Sequence, residues 1–204
     1  MTDSAAAESE QASGELKTEN VRLTGGTALK SLNVKDVKCS FGGELLTAGM
    51  NSSSLTEVNI ADAVIERSGS SKSQPALAIG GSKCIGTVTD SVISNDCGAG
   101  ISISGSGGVW TLQDCDISAS ADAVLMSGNS SSIEIDGGRY TSETNAISTG
   151  SYSGNKAILK DGVFTGALYV GRASGSAIEI REGYYKGNFA GTGSANYGAS
   201  QHRF

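Results

Sequence analysis

Histidine is almost missing from this chain: His202 is the only one, near the last residue. Chemistry that needs an imidazole base, or two imidazoles on one metal, therefore has little to work with. Proline is as rare, with Pro75 alone against 29 glycines, which excludes both collagen and a proline-rich linker. The four cysteines (Cys39, Cys84, Cys97 and Cys115) form no CxxC pair and no zinc-ligand spacing. A chain of 204 residues can build a core without a disulfide framework, so free, buried thiols are expected. Charged residues are only 18% and balance to −6, which opposes a nucleic-acid partner. No apolar run reaches the roughly 18–20 residues of a membrane span, so no membrane insertion is expected. The opening "MTDSAAAESEQASGELKTE" lacks the basic and apolar regions of a secretory leader, so any export is expected by another route.

What the chain does have is an echo. A nine-residue frame can be laid along it seven times: "LNVKDVKCS" from Leu32, "VNIADAVIE" from Val58, "GTVTDSVIS" from Gly86, "WTLQDCDIS" from Trp110, "IEIDGGRYT" from Ile133, "AILKDGVFT" from Ala157 and "IEIREGYYK" from Ile178. The starts are separated by 26, 28, 24, 23, 24 and 21 residues. The third position is always Val, Ile or Leu. The eighth is Cys39, Ile65, Ile93, Ile117, Tyr140, Phe164 or Tyr185, and the fifth is Asp, Gly or Glu. A second echo of small and apolar residues ending in Gly follows each frame, as in "ALAIGG", "AVLMSG" and "ALYVG", with a half-coil copy "VRLTGG" from Val21. Both echoes have the period-2 character of short strands, and the length variation falls between them, the longest insertion being "RSGSSKSQP" from Arg67 to Pro75.

Units this short cannot bury a face alone and must stack on their neighbours. The chain is therefore expected to be all-β and to stack about seven coils of 21–28 residues. It resembles the right-handed parallel β-helix of pectate lyase-like proteins, a β-solenoid in which one repeat is one coil. Positions one, three and eight are expected inside. Position five is expected at a tight corner, where Asp and Gly tolerate left-handed backbone. The expected domains are an acidic tail or cap over 1–19, the β-helix over 20–189 and a second tail or cap over 190–204.

The resemblance implies little about activity, because the scaffold hosts many functions. Members of the polygalacturonase type carry Gly-His-Gly and Arg-x-Lys strings, and neither occurs before His202. Pectate lyases gather calcium-binding Asp and a basic residue on outward positions of one sheet. Here the outward positions two and four hold charges in the last three coils: Glu134 and Asp136, Lys160, then Glu179 and Arg181. An Asp136–Lys160–Arg181 ladder that keeps an exposed sheet soluble accounts for them as well as a site does. Tyr169, between Leu168 and Val170, is expected to face out, with Arg172 in the same half of the chain, and an exposed tyrosine can stack on a sugar. No cofactor is expected, and calcium shared along the Asp corner column is the one ion the sequence leaves open.

Two function classes remain. The first is a non-catalytic structural or attachment solenoid that presents a surface or decorates an assembly such as a virion, a fibre or a cell envelope. Its partners would be copies of itself or other proteins of that assembly, and its place a virion or an extracellular surface. The second is a polysaccharide-binding or polysaccharide-cleaving module. Under either reading Glu134, Asp136, Lys160, Tyr169, Arg172, Glu179 and Arg181 are the residues expected to contact the carbohydrate or partner.

Overall fold

The computed structural model describes residues 57–69, 74–80 and 82–191 in full, together with the backbone of strands Ala12–Leu16, Ser31–Gly42, Ala48–Asn51 and Ser194–Tyr197. The chain is a parallel β-solenoid, and the described residues contain no helix. Three parallel sheets run along its axis. The first stacks Glu57–Ala61, Ile85–Thr89, Val109–Gln113, Ser132–Asp136, Lys156–Leu159 and Ala177–Ile180. The second stacks Val64–Ser68, Val92–Asn95, Asp116–Ala119, the first halves of Arg139–Ser148 and Val163–Val170, and Tyr184–Lys186. The third stacks Leu77–Gly80, Ile101–Ile103, Val124–Met126, the second halves of the same two long strands, and Phe189–Gly191.

The register pairs equivalent frame positions without a slip: Val58 with Gly86, Gly86 with Trp110, Trp110 with Ile133, Ile133 with Ala157, and Ala157 with Ile178. The six frames seen with their side chains enclose about five turns, not the seven expected. A frame is only one corner of a coil, so counting frames overstates complete turns. The Leu32 frame pairs with Val58 through its backbone, but its side chains, Cys39 and Asn33 among them, lie outside the described residues. So does the half-coil from Val21. Strands Ala12–Leu16 and Ser194–Tyr197, in the spans expected as tails or caps, each add one more parallel pairing. The remainder of 1–19 and of 192–204 lies outside the described residues.

The apolar interior is a set of columns. Positions one and three are buried in all six described coils. Position eight is buried from Ile65 through Phe164, and Tyr185 in the last coil is half-buried against the same core. The second echo supplies a third apolar column, Leu77, Ile101, Val124, Ile147 and Leu168, on the third sheet. Side chains of unlike size fit because neighbouring coils compensate. Trp110 fills the space above Gly86, where a Cβ would lie 1.8 Å from Trp110 Cζ3. Tyr140, Phe164 and Tyr185 form a continuous stack, with ring centroids 5.2 and 5.0 Å apart and interplanar angles of 11° and 5°.

The corner between the first and second sheets forms where the frame places it. Asp62, Asp90 and Asp114 adopt φ of 52°, 48° and 50°, and Gly137 takes over with 81°. In the last two coils position five is Asp161 or Glu182, and the left-handed residue moves to Gly162 and Gly183 at position six. The amides of Asp62, Asp90 and Asp114 donate to the position-four carbonyls of the next coil, Thr89, Gln113 and Asp136, at 3.0–3.2 Å. Each corner is therefore clamped by its neighbour and cannot slide. Position six, which the alternation alone does not place, turns inward as Ala63, Ser91 and Cys115. The buried Ser91 hydroxyl donates to Thr89 O at 2.7 Å and accepts from Ala63 N at 3.1 Å.

Among the described residues two buried donors stay without a partner, Trp110 Nε1 and Tyr140 Oη. Removing the orphaned hydroxyl with Tyr140→Phe is expected to raise stability by about 1–3 kcal/mol. Gly86→Ala, which drives a methyl into the Trp110 ring, is expected to lower it by about 1–3 kcal/mol. Urea denaturation of both variants checks the pair, and the opposite order of stabilities would contradict the packing.

Candidate functional site

The seven residues singled out in the sequence fall on two different faces. Glu134, Asp136, Lys160, Glu179 and Arg181 share the outer side of the first sheet, whereas Tyr169 is on the third sheet and Arg172 in the turn that follows it. No single surface unites the charges with the tyrosine. Tyr169 does face out and is half-exposed, with Ser148 and Ala190 as its register neighbours.

On the first sheet the charges pair differently from the straight ladder. Position four of one coil reaches diagonally to position two of the preceding coil, so Lys160 Nζ binds Glu134 Oε1. Arg181 Nε donates to Glu179 Oε1 at 2.7 Å within its own strand. The carboxylate raises the Arg181 guanidinium further above its ordinary value, first through the hydrogen bond and then through its charge. Both pairs are well exposed and contribute little to stability. In the frames from Val58, Gly86 and Trp110 the same positions are neutral, and Thr87 Oγ1 donates to Asn59 Oδ1 at 2.7 Å. Among the described residues no group of three or more His, Cys, Asp or Glu side chains is placed to hold a metal ion. The corner carboxylates Asp62, Asp90, Asp114 and Asp161 stand exposed.

Among the described residues a groove lies elsewhere, at the corner between the second and third sheets. It has a volume of about 620 Å³ and runs along the axis over four coils. Its floor and walls are frame position nine (Glu66, Ser94, Ser118 and Thr141) and the two positions after it in each coil. Asp96 and Glu143 add carboxylates along one side.

Beneath the groove a buried polar network fixes the corner. The Arg67 side chain, 2% exposed, donates from Nη1 to Gln74 O at 3.0 Å and to Cys97 Sγ at 2.9 Å. Asn95, equally buried, donates to Gln74 O at 3.0 Å and Ala99 O at 2.6 Å, and its Oδ1 accepts from Cys97 N at 3.1 Å. Both side chains hold Gln74, near the far end of the insertion that in the sequence has only loop composition. A second buried asparagine, Asn155, performs the same task at the corner between the third and first sheets, donating to Gly128 O at 2.7 Å and Thr149 O at 3.0 Å while accepting from Ser131 N. Single buried asparagines thus serve these two corners.

The three cysteines among the described residues are free and buried, as expected from their spacing. Burial raises all three thiols above their ordinary value, Cys115 to about 11. Desolvation also lifts the Tyr140 and Tyr185 hydroxyls. A group whose folded pKa exceeds its unfolded value supports folding fully below the unfolded value and loses that support as pH rises. Stability is therefore expected to fall as pH climbs from about 9 to about 11. Cys115→Ala is expected to flatten part of that slope in urea titrations across this range, and an unchanged slope would contradict the burial of the thiol.

Comparison with known proteins finds no match for this chain, whether among family models, curated proteins or solved structures.

Proposed function

We propose that this chain is a non-enzymatic β-solenoid that works by presenting its surface to other molecules, as a structural or attachment element of an assembly such as a virion, a fibre or a cell envelope. Catalysis needs a base and a charge-stabilising group converging on one substrate position. The observation that carries the reading is the pairing on the first sheet, where Lys160 is spent on Glu134 and Arg181 on Glu179. The remaining conspicuous residues have folding roles: aromatic stacking, corner formation and the satisfaction of buried carbonyls. A stacked rod stands without a ligand. Copies of this chain or other proteins of the same assembly are the partners this reading implies, on a virion or an extracellular surface.

A second reading, polysaccharide recognition, is favoured by the polar groove at the second corner. The two readings agree on the absence of turnover unless the module cleaves what it binds. Incubation with a panel of acidic and neutral polysaccharides, with and without calcium, tests this by release of reducing or unsaturated ends. No release is expected from the wild type. Turnover that disappears in Lys160→Ala plus Arg181→Ala would establish an enzyme and overturn the proposal.

A further inference from the structure

We infer that the groove at the corner of the second and third sheets is a binding cleft for an uncharged polysaccharide lying along the solenoid axis. This rests on the surface-presenting reading above and names the ligand class of that surface.

The first ground is the unspent hydrogen-bonding capacity of the groove. Buried serines elsewhere in the solenoid are consumed by the fold itself: Ser91 on Thr89 O, Ser131 on Gly105 O, Ser176 on Tyr152 O, and Ser102 on Ser127. At position nine, Ser94, Ser118 and Thr141 make no side-chain hydrogen bond within the described residues, and they stand in one register-aligned row. Their spacing is therefore the strand spacing of about 4.8 Å. Each hydroxyl can donate and accept, which is what a chain of sugar hydroxyls requires.

The second ground is charge. Glu66, Asp96 and Glu143 line the groove with carboxylates, and the one guanidinium, Arg67, is buried beneath it and already committed to Gln74 O and Cys97 Sγ. A polyanion, whether nucleic acid or polyuronate, would be repelled. Carboxylates are good acceptors for neutral hydroxyls.

The third ground is the absence of an apolar anchor. A protein partner is held chiefly by buried aromatic or aliphatic anchors. The exposed large apolar residues of the described chain, Ile85, Val92, Val109, Tyr152, Tyr184 and Phe189, all lie outside the groove lining. What fits is a hydroxyl-rich ligand a few rings long, matching four coils.

The test is calorimetric titration of the full chain with cellohexaose, xylohexaose and mannohexaose, against hexagalacturonic acid as the charged control. Ser118→Gln, which fills the groove from an exposed position, and Glu143→Ala, which removes an acceptor, are each expected to weaken binding about tenfold or more. Both variants should keep the wild-type melting temperature, and Lys160→Ala plus Arg181→Ala on the first sheet should bind as the wild type does. Failure of all three neutral oligosaccharides to bind would overturn the cleft while leaving the non-enzymatic reading intact. Binding lost in the first-sheet variant but retained in Ser118→Gln, or preference for hexagalacturonic acid, would also overturn it. Cleavage of a bound oligosaccharide would instead sink the reading on which the cleft rests.

Discussion

Every peptide group in this solenoid that points along the axis depends on the coil next to it. Parallel strands of three to five residues have no partner within their own coil, so their N–H and C=O groups are satisfied only by stacking. That single requirement fixes the register, and the register fixes everything else. The position-seven amide of each coil donates to the position-six carbonyl of the coil before it, from Val92 on Ala63 to Tyr184 on Gly162. A slip of one residue would exchange inside and outside over a whole strand. The left-handed corner prevents it, because only a residue that tolerates positive φ can stand there.

The interior follows from this lock. Columns of apolar side chains need not match in size, since a small residue in one coil admits a large one in the next, as Gly86 does for Trp110. The aromatic stack of Tyr140, Phe164 and Tyr185 is the opposite solution, three rings of like size laid face to face. The buried polar side chains Ser91, Asn95 and Asn155 serve corners, each bonding backbone groups that a sharp turn would otherwise strand.

Much of this was legible in the sequence because period and register are properties of spacing. Positions one, three and eight declared themselves by their apolar identity, and Asp62, Asp90 and Asp114 by their recurrence at a corner. What was not legible depends on direction and depth. Nothing in "VIERS" distinguishes Glu66, which is exposed, from Arg67, which is buried; the difference is made by Gln74 and Cys97 arriving from elsewhere in the chain. The charge ladder was read as a straight column, whereas the long Lys160 side chain reaches diagonally to Glu134. The groove is not legible in the sequence because its hydroxyls and carboxylates sit at the end of the frame and beyond it, where coil lengths vary and each residue alone reads as loop.

The central claim is that equivalent frame positions stack coil upon coil in parallel. Nitroxide labels on outward position two test it directly, in pairs placed at Thr111 and Glu134, Thr111 and Ile158, and Thr111 and Glu179. The register places these one, two and three coils apart. Backbone separations should then rise in steps of about 4.8 Å, and dipolar broadening of the continuous-wave spectrum should fall in that order. Broadening that does not follow coil number, or a Thr111–Glu179 pair closer than Thr111–Glu134, would contradict the stacked register.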